Sequence, residues 1–211
     1  MALFMKKNEV GSHAPLYNVS AQHILMVVGL GNIGPEYNGT RHNIGFEAIN
    51  YCAAQYDAPW ALKKDLKAYV ASTVMGSTRV LFVKPTTFMN LSGEAVQAVA
   101  HFYKVPQKDM LIVHDELDID FGRIRTSNDG SHAGNNGIKS IISVFGEQFS
   151  RLRIGIGPKT PAQIDAADFV LGTFTTAQQK DLPLIIKEIA SMVADRSAGS
   201  ELLVETRTVL F

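Results

Sequence analysis

Residues 29–43 read GLGNIGPEYNGTRHN and directly follow the apolar run at residues 24–28. The first six residues fit the pattern G-x-G-x-x-G, in which a glycine-rich turn after a strand leads into a helix whose N-terminus receives the pyrophosphate of a dinucleotide. The last two residues, His42 and Asn43, indicate acid–base chemistry instead. The choice between these two interpretations determines which function the chain is expected to have.

The residues after the third glycine argue against a dinucleotide site. Pro35 pushes the residue before it toward extended geometry, and the Asn-Gly pair at residues 38–39 is a turn signal. We therefore predict that the helix begins near Thr40 or Arg41, with Thr40 as its N-cap. A dinucleotide fold also needs an acidic residue about 20 residues on, at the end of a second strand. Glu47 lies at about that distance but within a helical pattern, so a nucleotide-dependent oxidoreductase is only a third hypothesis.

Length and composition predict one globular domain. The chain has 211 residues, of which 46% are apolar, which allows a sizeable core and excludes a disordered chain. No apolar run approaches the roughly 20 residues that cross a bilayer, so no membrane association is expected. Cys52 is the only cysteine, which is compatible with a reducing, cytoplasmic setting. We expect residues 1–20 to form a flexible tail and residues 21–211 to form the domain.

The charge is balanced overall but unevenly distributed. The formal net charge is zero, which counts mildly against a nucleic-acid binder. Between residues 123 and 159, however, the only acids are Asp129 and Glu147. The basic residues there are Arg123, Arg125, Lys139, Arg151, Arg153 and Lys159. This segment is interpreted either as an anion-binding face or as a solvated surface with uneven charge.

Strand and helix patterns alternate along the chain, which is typical of an α/β domain. A hairpin around Gly76-Ser77-Thr78 makes the predicted sheet mixed, with flanking helices. Pro183 is placed in the first turn of the last helix, which is predicted to start near Lys180. The predicted strands are 24–28, 68–75, 79–84, 110–114, 123–127 and 151–157, and the other helices are 43–56, 92–104 and one that follows Gly137.

Polar residues follow three of the apolar strands. Asn32 and His42 follow the first, residues 88–90 follow the hairpin, and Asp115 and Glu116 follow the strand at 110–114. In open α/β sheets the crevice beyond such strand ends is the usual site. His42 with Asp115 suggests a base that is oriented by a carboxylate, and the absence of a G-x-S-x-G motif points to activation of water. The structural alternatives are a histidine near a helix start and a turn or cap aspartate.

Amide and aromatic side chains complete the set of candidates. Asn32, Asn90 and Asn136 carry donors and acceptors that suit a substrate with peptide groups, although Asn90 and Asn136 are also plausible helix N-caps. Tyr37 and Phe88 lie in predicted loops and could stack on a base, or Phe88 could fill the core. A metal site at residues 114–118 is not expected, because neighbouring residues of a strand point to opposite faces.

Together, these motifs resemble bacterial peptidyl-tRNA hydrolase from about Ile24 to the final helix. They are GLxNxG at residues 29–34, Glu36-Tyr37, TRHN at 40–43, PTTFMNLSG at 85–93, HDELD at 114–118 and LRIGIG at 152–157. The resemblance implies hydrolysis of the ester that joins a peptide to the 3′-terminal adenosine of tRNA. It also implies a monomeric single-domain α/β fold with a twisted mixed β-sheet, and neither metal nor cofactor.

The resemblance also assigns roles to residues. His42 corresponds to the general base toward water, Asp115 to the carboxylate that raises its basicity, and Asn32 to the residue that helps to discriminate blocked from free aminoacyl-tRNA. The implied partner is peptidyl-tRNA, through its CCA end and acceptor stem. Residues matched to contacts with the tRNA end or the peptide backbone are Tyr37, Phe88, Asn90 and Asn136, and those matched to tRNA phosphate are Arg125 and Arg153.

The chain departs from the family pattern at two positions. Ile33 stands where the family usually has proline, and Asn135 stands where it usually has histidine. An asparagine can form hydrogen bonds but does not titrate near neutrality. The alternative hypothesis is a non-catalytic relative that binds structured RNA, as in the plant organelle splicing factors that look like this family. Retention of His42, Asp115, Asn32 and Asn90 favours the enzyme.

Overall fold

The structure, a computed structural model, describes residues 23–210. The tail expected at residues 1–20 lies outside the described residues. The strands are β1 (Ile24–Gly29), β2 (Ala61–Lys63), β3 (Ala68–Met75), β4 (Thr78–Pro85), β5 (Met110–Asp120), β6 (Arg123–Ser127), β7 (Ser150–Gly157) and β8 (Thr206–Thr208). The helices are α1 (Ile44–Gln55), α2 (Ser92–Tyr103), α3 (Asn136–Phe145), α4 (Ala166–Leu171) and α5 (Thr176–Ser197).

The strands form one mixed sheet in the order β2-β3-β4-β1-β5-β7-β6-β8. The central strands β4, β1, β5 and β7 are parallel, whereas β2, β3, β6 and β8 join by antiparallel pairing. The predicted mixed α/β fold and the β3–β4 hairpin are confirmed. No helix among residues 23–210 is long and apolar enough to cross a membrane.

The sheet is buried on both faces, which explains why β1 is apolar throughout. Alternate residues of β1 enter two separate cores. Leu25 and Val27 pack with α1 and α5, and Met26 and Val28 pack with α2 and α3. A site for polar chemistry is therefore expected beyond the end of β1, where the helices leave the sheet uncovered.

Gly45 lets α1 approach the sheet closely. A Cβ at Gly45 would lie 2.6 Å from Leu30 N and closer still to the carbonyl oxygen of Val113. Any side chain there would push α1 away from the end of β1 and the middle of β5. This close approach places the turn before α1, which carries His42, against the polar part of β5.

Three predicted element ends are wrong. β5 continues to Asp120 because Asp115 and Glu116 keep pairing with β7, so these acids lie in a strand and not in a loop. α1 begins at Ile44 after a 3₁₀ turn at Arg41–Asn43, and the Thr40 hydroxyl donates to Tyr37 O instead of capping the helix.

α5 starts at Thr176 and not near Lys180. Thr175 and Gln178 form a capping box there, which satisfies the free N–H groups of the first turn. Pro183 therefore lies inside the helix and not in its first turn. The short elements β2, α4 and β8 were not predicted from the sequence.

Candidate active site

His42 and Asp115 form a buried pair beyond the end of β1, where β5 continues past it. The Nδ1 atom of His42 is 2.9 Å from both Asp115 carboxylate oxygens. His42 is 8% exposed and Asp115 is 3% exposed. A neutral imidazole that donates Nδ1–H to this carboxylate keeps its lone pair on Nε2. The ring can therefore accept a proton from a molecule in the cavity that His42 lines.

Two opposing effects act on the pKa of His42. Burial by itself would lower the pKa, because the charged ring is poorly solvated. The negative charge of Asp115 and the hydrogen bond to it outweigh burial, and the pKa is raised overall. His42 is thus a stronger base than a free histidine, provided that the pH is high enough to keep it neutral.

The Asn32 side chain is oriented by its surroundings. Its Oδ1 accepts a hydrogen bond from the backbone N–H of Met89 at 2.8 Å. The Nδ2 end is thereby left for the cavity, which Asn32 also lines. The Asn32 backbone is held by Asn43, which accepts from Asn32 N at 2.8 Å and donates to Asn32 O at 3.0 Å. Sequence reasoning missed this role of Asn43, although it noted the residue beside His42.

A cavity of about 670 Å³ brings six of the predicted site residues together. Phe88, Asn90 and Asn136 are exposed at its rim. Neither of these two asparagines is a helix N-cap: Asn90 lies within a 3₁₀ turn at Met89–Leu91, and Asn135 caps α3. The six residues that line the cavity are Asn32, His42, Phe88, Asn90, Asp115 and Asn136.

The remaining three predicted residues do not line this cavity. Tyr37 is half-buried in the 3₁₀ turn at Pro35–Tyr37. Arg125 is exposed on β6 and its Nε donates to Thr206 Oγ1 at 3.1 Å. Arg153 donates from Nε and Nη2 to the buried Glu116 carboxylate, at 3.1 and 3.0 Å.

The basic segment at residues 123–159 is not a uniform surface. Arg151 is buried, and its guanidinium donates to the carbonyl oxygens of Ser131, Gly130 and Glu147 at 2.7, 2.5 and 3.2 Å. Arg151 therefore holds the glycine-rich loop before α3 in place. Arg151 is therefore not part of an anion-binding face, and the interpretation of residues 123–159 as such a face is wrong at this position.

Arg41 holds the far wall of the cavity, which sequence reasoning also missed. Its Nη1 donates to Phe169 O at 3.1 Å, and its guanidinium lies 4.1 Å from the centre of the Phe169 ring. Its backbone N–H donates to Gly172 O at 3.0 Å. Because Arg41 precedes His42, the same turn presents the imidazole and anchors α4 opposite it.

The G-x-G-x-x-G segment does not open a helix. Gly34 has a φ of 136° and is followed by the 3₁₀ turn at Pro35–Tyr37, and α1 starts only at Ile44. The helix N-terminus that would receive a pyrophosphate is therefore missing at the third glycine. Within residues 23–210, no three His, Cys, Asp or Glu side chains are grouped to hold a metal ion.

Comparisons with known proteins agree with one another. The model of the peptidyl-tRNA hydrolase family matches residues 26–205. The chain is 40% identical over 168 residues to peptidyl-tRNA hydrolase of Rickettsia africae, covering 80% of this chain and 90% of that protein. It is 43% identical over 171 residues to the enzyme of Fusobacterium nucleatum, covering 81% and 87%.

A solved structure extends the likeness to three dimensions. The crystal structure of peptidyl-tRNA hydrolase from Acinetobacter baumannii superposes with a TM-score of 0.79 at 34% identity, covering 84% of this chain and 90% of that one. The range matched by the family model contains every residue of the site. The chain belongs to the peptidyl-tRNA hydrolase family.

Proposed function

We propose that this chain hydrolyses the ester between a peptide and the 3′-terminal adenosine of peptidyl-tRNA, with His42 activating the attacking water. The observation that carries the mechanism is the contact of His42 Nδ1 with both oxygens of Asp115 at 2.9 Å, inside a cavity of about 670 Å³. The family supplies the substrate, since its relatives bear the name peptidyl-tRNA hydrolase.

The chemical step is a general-base hydrolysis. The lone pair on His42 Nε2 removes a proton from water while the water oxygen bonds to the ester carbonyl carbon. The bond from that carbon to the ribose oxygen then breaks, and the imidazolium returns the proton to the leaving oxygen. Asp115 stabilises the imidazolium in between. A positioned base of this kind contributes about 10²–10⁴ in rate.

Asn32 supplies a hydrogen-bond donor to the substrate. Its Oδ1 is occupied by Met89 N–H, so Nδ2 is the end that can donate to a substrate carbonyl. A donor aimed at a developing oxyanion is worth about 10²–10³ in kcat. A site that pairs with peptide groups also rejects strongly a substrate that lacks them, and this selects peptidyl-tRNA over aminoacyl-tRNA.

The rim binds the rest of the substrate. Phe88, Asn90 and Asn136 are exposed there and offer a stacking surface and amides to the CCA end and the peptide backbone. Tyr37 contacts the same end of the tRNA from the loop before α1. Arg125 and Arg153 bind the acceptor-stem phosphates, Arg125 from the exposed side of β6 and Arg153 through Nη1, the guanidinium nitrogen that does not donate to Glu116. The chain acts as a monomer in the cytoplasm, without metal or cofactor.

Release of free peptide from N-acetyl-aminoacyl-tRNA tests the proposal. We expect the native chain to be active and His42→Ala to lose at least about 10²-fold in kcat, because the base is removed. His101→Ala is the matched control, since His101 is an exposed histidine on α2. A native chain that is folded and binds tRNA but releases no peptide would favour the RNA-binding relative instead.

A further inference from the structure

Asn135 lies between the start of α3 and the Asp115 carboxylate and contacts both. We propose that Asn135 is a positioning residue that holds Asp115 in the orientation His42 requires. The proposal rests on the hydrolytic function proposed above. It concerns one of the two positions at which the chain departs from the family pattern.

One end of the Asn135 amide is fixed by α3. Its Oδ1 accepts the backbone N–H groups of Gly137 and Ile138 at 3.0 and 3.1 Å. These are two of the N–H groups that an α-helix leaves free at its N-terminus. The amide cannot be reversed, because its NH₂ group would then face two N–H donors. The helix therefore determines where Nδ2 points.

The other end of the amide reaches Asp115. Asn135 Nδ2 is 3.0 Å from Asp115 Oδ1 and 3.4 Å from the Asp115 carbonyl oxygen. Asp115 Oδ1 thus accepts from His42 on one side and from Asn135 on the other. The two donors come from different parts of the chain, so they constrain the rotation of the carboxylate, which a single donor would leave free to turn.

Burial makes this contact consequential. Asp115 and Asn135 are both buried, so a carboxylate that turned away from His42 would have little water to replace the lost hydrogen bond. An amide also keeps the same charge at every pH at which the protein is folded. A histidine at position 135 would instead change its charge close to the pH range in which His42 titrates.

Two substitutions separate positioning from helix capping. Asn135→Ser keeps a good N-cap but removes the donor to Asp115. We expect a lower Tm, because Asp115 loses a buried hydrogen bond, together with a nearly unchanged KM and a kcat about tenfold lower, because the base is no longer aligned. Thr175→Ser is the matched control, since Thr175 caps α5 outside the cavity and the variant should keep native kcat.

The pKa of His42 reports the position of Asp115 independently of turnover. In Asn135→Ser the Asp115 carboxylate is free to turn away from His42, so the pKa of the imidazole should fall from its raised native value. The acidic limb of the pH profile of kcat/KM should therefore move to lower pH. NMR titration of the His42 ring in the same variant should show the same shift without requiring turnover.

The outcomes are distinct from those that test the function itself. Native kcat in Asn135→Ser, or a His42 titration that this variant leaves unchanged, would overturn the positioning role. An inactive native chain would instead refute hydrolysis. The NMR titration would still decide whether residue 135 acts on the His42–Asp115 pair.

Discussion

Asn43 shows how far a single side chain controls the geometry of this site. Its amide pairs with both backbone groups of Asn32, at 2.8 and 3.0 Å. Because the N–H and the C=O are held together, the Asn32 side chain can leave the loop in only one direction, toward Met89 and the cavity. Asn43 therefore determines the direction of Asn32 Nδ2, the donor that we assign to the substrate carbonyl, although Asn43 itself need not contact the substrate.

Removal of that amide should affect both stability and activity. Asn43→Ala leaves the buried N–H and C=O of Asn32 without partners, which should lower the free energy of unfolding by about 1–3 kcal/mol. We also expect kcat/KM for peptide release to fall, because Asn32 is no longer held in one orientation. Urea denaturation and the peptide-release assay measure the two effects. Asn50→Ala is the control from the adjoining helix α1, where an exposed amide accepts from Lys84 at 2.6 Å. Native stability and native activity in Asn43→Ala would refute the role.

At the scale of elements, β5 keeps its pairing where its sequence becomes polar. Asp115 pairs in register with Ile154, and Glu116 with Gly155. A strand of buried acids is stable only if each acid has a partner. His42 and Asn135 form hydrogen bonds with the Asp115 carboxylate, and Arg153 forms an ion pair with Glu116, which is 2% exposed.

The Arg153–Glu116 pair should therefore be a major contribution to the stability of this part of the sheet. Arg153→Met leaves a buried carboxylate unpaired, which typically costs about 3–5 kcal/mol. The Arg153 side chain is 20% exposed, so we expect the lower end of that range. Urea denaturation measures the loss, and Arg153→Met combined with Glu116→Gln should recover much of it. Unchanged stability with weakened tRNA binding would mean that Arg153 acts mainly on phosphate.

Elements with a strong local pattern could be predicted, and those that depend on distant partners could not. The apolar run of β1 and the β3–β4 hairpin were read correctly from the sequence, and the strand predicted at 151–157 differs from β7 by one residue. The end of β5 was not, because charged residues stay in a strand only when partners from elsewhere neutralise them. The start of α5 was misplaced because Pro183 outweighed the capping box at Thr175.

The same distinction applies to the site. His42, Asp115 and Asn32 could be selected from the sequence because their side chains suggest chemistry on their own, and the structure places all three around one cavity. The contacts of Asn43 and Asn135 reach partners 11 and 20 residues away along the chain. The sequence around these two asparagines does not indicate that they hold Asn32 and Asp115 in place. Arg41 was missed for the same reason, since its partner Phe169 is 128 residues away.

At the scale of the whole molecule, two buried histidines make stability depend on pH in different ranges. The pKa of His42 is raised from 6.5, so its contribution to stability is complete below 6.5 and is lost as the pH rises through the raised pKa. His114 behaves in the opposite way. Its burial lowers the pKa from 6.5 to about 4, even though the ring contacts Asp115 O at 2.7 Å.

His114 should therefore reduce stability in mild acid. Between pH 6.5 and about 4 the unfolded chain binds a proton at this ring and the folded chain does not, so the free energy of unfolding should fall by about 3 kcal/mol as the pH falls through that range. Urea denaturation at a series of pH values measures this slope. His114→Asn can keep a hydrogen-bond donor near Asp115 O but does not titrate. It should therefore flatten the slope, even where the substitution lowers the free energy of unfolding at pH 8. Exposed His101→Asn should keep the native slope, and a native slope in His114→Asn would show that other groups cause the acid sensitivity.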